Sequence, residues 1–195
     1  MIKLKKSQKN KSLFNVVVIY GGVAVGKFTV ANELQKLINY KFFHNHHTHD
    51  LARQLFKRGE MGSSSIIENV RFVVFKEIAR TKINVITTHT YSSDFISETG
   101  LTDQMYMKKV ESIIKKGGGT SYFVHLIADD KELMKRVIGE SRKNWKKLMD
   151  KKIMKDILKN KVWRTVAPVK NNIQIDNTNL SPKRVAKMIK DNFKL

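Results

Sequence analysis

Short apolar runs alternate along this chain with longer stretches in which apolar residues recur every three to four positions. Five runs have strand character: Asn15 to Tyr20, Tyr40 to His44, Asn84 to Thr88, Ser121 to Ala128 and Ile173 to Asp176. Helical spacing predicts helices over about 26–39 (Val30, Leu34, Leu37, Ile38), 48–57, and a third carrying Ile66, Ile67, Val70, Val73, Val74 and Ile78. Further helices are expected over about 102–116, closed by Gly117-Gly118-Gly119, and over 131–139. Ser181-Pro182 opens a last helix, with serine at the N-cap and proline in the first turn. The strands are apolar throughout, so both of their faces are covered. The pattern predicts a five-stranded parallel sheet between two layers of helices, a three-layer α/β/α fold. No internal repeat is present.

In such a sheet, ligands bind at the carboxyl ends of the strands. Three polar stretches fall there: Gly21 to Thr29, His44 to Asp50 and Thr88 to Asp94. The first reads Gly21-Gly22-Val23-Ala24-Val25-Gly26-Lys27-Phe28-Thr29, which fits G-x-x-x-x-G-K between a strand and a helix. Its glycines let the backbone bend and turn N–H groups inward, forming a nest for an anion at a helix N-terminus. Lys27 is placed to reach the β- and γ-phosphates of a nucleotide. The motif usually puts serine or threonine directly after the lysine as a magnesium ligand. Here Phe28 stands in that position and the hydroxyl arrives at Thr29.

The second stretch holds His44, His46, His47 and His49. In an extended chain, His44 and His46 point one way and His47 the other. No cysteine or paired carboxylate completes a set, so no intrinsic transition-metal site is expected. The cluster suits a polar wall for a substrate hydroxyl. Asp50 has two readings: a base or positioner in phosphoryl transfer, with His46 as substitute, or a helix-dipole acid after a Thr48 cap.

Composition changes the picture only at the edges. The chain of 195 residues is 41% hydrophobic, enough for one domain with a core. It contains no cysteine, which excludes disulfides and thiolate-held metals. No apolar run approaches the ~20 residues of a membrane span, and the basic segment 1–13 lacks a signal-peptide core. The cytoplasm is the expected location, and 1–13 reads as a flexible arm before a domain over 14–195. The net charge of +21 comes from 30 Lys and 8 Arg spread over the whole chain. That spread predicts nonspecific attraction to polyanions rather than a dedicated nucleic-acid surface.

Phe43-His44-Asn45-His46-x-Thr48-x-Asp50-Leu51 resembles a stretch of small bacterial P-loop proteins described as AAA-family or shikimate-kinase-like. These are related to chloramphenicol phosphotransferase and gluconate kinase. Their loop G-x-x-x-V-G-K-L-T is similar to Gly21 to Thr29, and their I-D-T-T-x-L-S-P to Ile175 to Pro182. Adenylate kinase likewise has a non-hydroxyl residue and then threonine after the lysine. The resemblance covers most of 14–193 and implies a P-loop NTPase fold with a helical lid insert at about 140–161.

It also implies roles. Arg136 would pack on the adenine beside Asn177 and Thr178, and Arg142 would reach the phosphates from the lid. Arg71 would clamp an acidic group of the acceptor, with His44, Asn45 and His46 beside it. ATP and magnesium are the implied cofactors, with Thr29 on the metal. One departure stands out: strand three ends Ile86-Thr87-Thr88-His89-Thr90, without the carboxylate expected there, and Asp94 lies farther on. The expectation is a kinase moving the γ-phosphoryl group of ATP to a hydroxyl of a small molecule, through Lys27, Asp50 and Arg142. A nucleotide-dependent switch or slow ATPase is the alternative, and a nucleic-acid-associated P-loop protein a second. A monomer or homodimer is expected.

Overall fold

A computed structural model of the protein describes residues 13–57, 59–139 and 148–195. The segment 1–12, most of the expected arm, lies outside the described residues; Leu13 is held by a backbone bond to Gly118. The element order is β1 (Asn15–Gly21), α1 (Lys27–Leu37), β2 (Lys41–Phe43), α2 (His46–Ala52), α3 (Ser63–Thr81) and β3 (Val85–Thr90). There follow α4 (Asp103–Lys116), β4 (Thr120–Ile127), α5 (Asp130–Arg136), α6 (Lys151–Lys159), β5 (Asn172–Asp176) and α7 (Pro182–Phe193).

The five strands form one parallel sheet in the order β2-β3-β1-β4-β5. Strand β1 lies at the centre because it is apolar on both faces. Val17 and Ile19 turn to one layer, where α1 supplies Val30, Ala31 and Leu34 and α7 supplies Val185, Ala186 and Ile189. Val16, Val18 and Tyr20 turn to the other, against Phe72, Phe75 and Ile78 of α3 and Met107, Val110 and Ile114 of α4. This is the predicted three-layer α/β/α core. The chain leaves β1 for β2 on one side and later returns to its other side as β4. The crevice opens where that direction reverses, at the carboxyl end of β1.

Two boundaries differ from the sequence expectation. Helix α2 begins at His46, so Thr48 lies inside its first turn and does not cap it. Tertiary bonds override local capping here: Arg71 of α3 donates to the Thr48 hydroxyl and to the Asn45 carbonyl. The second difference lies in the lid. Its first part, 140–147, is outside the described residues. Its second part, α6, buries Met154 and Leu158 in the same cluster as Leu133 of α5 and Val137 just after it. This half is a packed wall of the core.

Gly21 carries a φ of +141°, and a β-carbon there would sit 2.3 Å from the Leu126 carbonyl oxygen on neighbouring β4. Gly21→Ala should therefore destabilise the whole fold, not only the loop. A loss of 2–3 kcal/mol or more corresponds to roughly 5–10 °C in Tm for a domain of this size. An unchanged melting temperature would show that β1 and β4 can separate locally without cost.

Candidate active site

The loop after β1 closes through left-handed residues, Ala24 at φ 64° and Gly26 at φ 90°. Such turns aim successive amides inward. Helix α1 begins at Lys27, with Gly26 at its N-cap contributing no side-chain bond, and the start of a helix favours an anion. The Lys27 ammonium rests on the loop itself, donating to the Gly21 carbonyl at 2.9 Å and the Gly22 carbonyl at 2.6 Å. Trp163 packs so closely on Gly22 that a β-carbon there would lie 3.1 Å from its ring. The phosphate cradle is thus preformed, and its residues fit the polyphosphate of a nucleotide.

The loop is fastened from the side. The Asn177 amide donates to the Val25 carbonyl at 2.8 Å. Arg136 in turn holds Asn177, donating from Nη1 to its side-chain oxygen and from Nη2 to the carbonyls of Asn177 and Thr178. Its Nε donates to Glu132. Four of the five N–H donors of Arg136 are engaged in these bonds, which leaves the face of the guanidinium for stacking. The Thr178 hydroxyl donates to Asp176 and accepts from the Asp129 amide. These bonds from Thr178 hold the Asp176 carboxyl below its usual range.

Phe28 turns toward the histidines, its ring 4.6 Å from His44 and 5.7 Å from Phe42. Thr29 is exposed on the first turn of α1. Among the described residues no three histidine, cysteine or acidic side chains gather to hold a metal ion. The chain thus offers magnesium little beyond Thr29, and a metal carried by the nucleotide's own phosphates fits this better than a protein-built site.

Across the crevice lies a second polar cluster, centred on Arg71. This side chain is buried at 7% exposure and makes no ion pair among the described residues. It donates from Nε to the Thr48 hydroxyl at 2.9 Å and from Nη2 to the Asn45 carbonyl at 3.2 Å, and it lies 5.9 Å from the Tyr106 ring centre. Asn45 is fixed in turn by the Thr87 hydroxyl of β3. His44 stacks on His46 at 5.6 Å and meets His47 edge-on at 5.8 Å, so the turn into α2 brings all three together. His49 sits one helical turn beyond His46. Burial, then the charges of Arg71 and of nearby cations, lower its pKa to about 3.

The end of β3 adds a buried pair. His89 Nε2 lies 3.0 Å from Asp103 Oδ1, with both side chains under a tenth exposed. The other carboxylate oxygen accepts from the Ser92 amide at 2.7 Å. Tyr106 stacks on the His89 ring at 4.3 Å. Burial lowers the His89 pKa; Asp103 opposes this, while Arg71 and Lys27 reinforce it. His125 of β4 is level with Tyr20, stacks on it at 4.7 Å, and donates to the Trp163 carbonyl.

No protein-family model matches the sequence, and no curated protein does. Solved structures do match. A provisionally named kinase from Chloroflexus aurantiacus is 12% identical, with 95% of this chain and 98% of that one covered at a TM-score of 0.65. A gluconokinase from Sinorhizobium meliloti is 10% identical over 95% and 94%, TM-score 0.59. A shikimate kinase from Acinetobacter baumannii, determined with shikimate, is 16% identical over 92% and 93%, TM-score 0.57. The chain has a P-loop small-molecule kinase-like fold.

On this kinase-like fold the sequence-predicted residues divide into three groups. Gly21 to Lys27 form the cradle, and Arg136, Asn177 and Thr178 brace it from one side. His44, Asn45, His46 and Arg71 gather on the other side. Asp50 does not join them: its carboxylate pairs with Arg53 at 3.0 Å on the outer part of α2, with 43% of its side chain exposed. It is thus a surface helix pair, and the first-turn reading after a Thr48 cap fails with the cap. Arg142 lies outside the described residues, as do Lys143, Lys146 and Lys147. Sequence reasoning missed Asp103, His89 and Tyr106. Thr102-Asp103 has the form of an ordinary helix start, and Thr102 does cap α4. Only a buried histidine beside the threonines at the end of β3 pointed there.

Two outcomes follow from this geometry. Lys27→Ala should weaken binding of an ATP analogue with magnesium by roughly 1.5–3 kcal/mol, about 10- to 150-fold in Kd. Equal affinities by calorimetry would disprove the cradle assignment. The lowered pKa of His49 means the unfolded chain binds the proton more readily than the folded one. Its contribution to stability is intact above pH 6.5 and lost as pH falls toward about 3, at up to about 1.4 kcal/mol per pH unit. Denaturant midpoints should fall less steeply with acidification in His49→Gln than in the parent; parallel curves would contradict the shift.

Proposed function

We propose that the protein is an ATP-dependent kinase transferring the γ-phosphoryl group to a hydroxyl of a small molecule that also carries an anionic group. The buried Arg71 guanidinium, which lacks an ion pair among the described residues, carries the second half of this reading. A buried cation is costly unless paired and hydrogen-bonded. Here two of its donors are satisfied by neutral oxygens, and its charge is left for a ligand. A carboxylate or phosphate of the acceptor supplies it by bidentate contact. The shikimate kinase of similar fold was determined with shikimate, a hydroxylated carboxylic acid, which agrees with that chemistry.

Bound ATP, with its magnesium, supplies the phosphoryl group. The chain's own residues do the remaining work. Loop amides from Gly22 to Lys27 hold the phosphates and fix their direction. Lys27 leaves the Gly21 and Gly22 carbonyls to neutralise charge that builds on the transferring oxygens. Arg71 anchors the acceptor, with Asn45 and His46 beside it, so that a hydroxyl faces the phosphates. Asn177 and Arg136 keep the cradle in register.

One observation favours a nucleotide-dependent switch or slow ATPase instead. At the end of β3 both oxygens of Asp103 are engaged, by His89 and the Ser92 amide, so no free carboxylate is offered there for magnesium.

ATP consumption should be measured over sugars, antibiotics, nucleosides and shikimate-like acids. The kinase reading expects turnover with a hydroxylated acid or phosphate, and Arg71→Met should raise its KM at least tenfold with ATP affinity kept. Tight ATP binding with no acceptor-dependent consumption would leave the switch as the function.

A further inference from the structure

Resting on the phosphoryl-transfer reading, we propose that His89, oriented by Asp103, is the group that takes the proton from the acceptor's hydroxyl. Three observations carry it. The first is the tautomer. Asp103 accepts from the Ser92 amide with one oxygen and meets His89 Nε2 with the other, so the ring proton sits on Nε2. Nδ1 of the neutral ring then bears a lone pair.

The second is that this lone pair is unused. Nδ1 is buried and has no hydrogen-bond partner among the described residues. Buried polar atoms are rarely left so. The Tyr91 hydroxyl nearby is in the same condition, and the Tyr106 hydroxyl lies beside Asn45 and Arg71 with no well-formed bond to either. Open polar atoms concentrated in one place fit a polar ligand that brings its own O–H groups.

The third is position. His89 stands level with Tyr20 on β1, one residue before the cradle begins. The Tyr106 ring stacks on His89 at 4.3 Å and lies 5.9 Å from the Arg71 guanidinium. His89 thus links the strand end where the loop of Lys27 begins to the buried arginine, on the path of a hydroxyl of an acceptor anchored there.

The step balances within the proposed reaction. The acceptor oxygen forms a bond to the γ-phosphorus while its O–H bond breaks and the proton moves to Nδ1. The bond from the γ-phosphorus to the β–γ bridging oxygen breaks, and its electron pair leaves with ADP. The imidazolium is held against Asp103 until the proton passes to water. The groups facing the ring are Lys27 from α1, His49 from α2, Arg71 from α3, and Asp103 and Tyr106 from α4. Burial, reinforced by Arg71 and Lys27 against the opposing Asp103, keeps the resting ring neutral, so the rate should stay flat through pH 6.5 and decline only below it.

The test uses the full chain with nitrogen-15-labelled histidine. Long-range proton–nitrogen spectra at pH 7 should show His89 protonated at Nε2 and bare at Nδ1. Asp103→Asn, which is isosteric, should disturb that pattern while circular dichroism and ATP-analogue affinity stay unchanged. In turnover with magnesium-ATP and an accepted acceptor, or water where none is accepted, His89→Gln and Asp103→Asn should each lose about 10²–10⁴-fold in kcat. A proton on Nδ1 in the parent protein, or near-normal kcat in both variants, overturns the base role and leaves the kinase reading standing. A large loss in Asp50→Asn with His89→Gln near normal likewise moves the role to Asp50. The correct tautomer with no turnover on any acceptor or on water overturns the kinase reading, and the base role with it.

Discussion

The polar cluster across the crevice is arranged around one buried cation. Arg71 enters the interior from α3, and neutral oxygens reach its guanidinium. Those oxygens come from Asn45 and Thr48, which is why α2 begins where it does. The consequences spread outward. The turn into α2 draws His44, His46 and His47 together, His49 is held neutral beside a permanent positive charge, and Tyr106 lays its ring under both Arg71 and His89. A hydrophobic side chain of similar volume would be easier to bury, so a charge kept here points to a ligand of opposite sign.

The loop after β1 is built on the opposite principle, with the side chains that fasten it already hydrogen-bonded. Asn177 bonds the cradle, Arg136 bonds Asn177, and Glu132 bonds Arg136, so α5, the loop after β5 and the cradle move as a unit. Lys27 shares in this closure by resting on two loop carbonyls. Binding an anion exchanges those weak acceptors for a charged one, so the lysine loses no hydrogen bond in engaging phosphate. Preorganisation of this kind is where electrostatic stabilisation of phosphoryl transfer originates.

Most of the fold was legible because its signals are local. Val16 to Ile19 can only be a strand buried on both faces, and Ser181-Pro182 can only begin a helix. All five strands and most helices of the described residues lie close to where period and punctuation put them; α6 was expected only as part of a lid, and α2 starts earlier than its spacing suggested. The glycine-rich loop was equally legible, since it is one contiguous stretch. The second polar cluster was singled out in part. Its histidines and Arg71 were named, but Asp50 was favoured over Asp103, because Asp50 stands inside the recognisable stretch and Asp103 is fourteen positions from the histidine it holds. Their pairing follows from α4 packing its first turn against the end of β3. The extended-chain reading of the histidines failed for a related reason: Arg71, distant in sequence, winds that segment into a helix.

The missing acid at the end of β3 takes a different meaning in three dimensions. The strand does deliver a carboxylate to that place, indirectly, through a histidine that α4 clamps. A free aspartate there would bind metal and repel the phosphates. A carboxylate spent on a histidine and an amide does neither, and it fixes which ring nitrogen keeps a lone pair. Burial, with Arg71 and Lys27 acting against Asp103, favours the neutral ring at rest. Under the proposed reaction, the departure from the usual pattern at β3 would exchange a metal-holding group for a proton-accepting one, at a strand end next to both polar clusters.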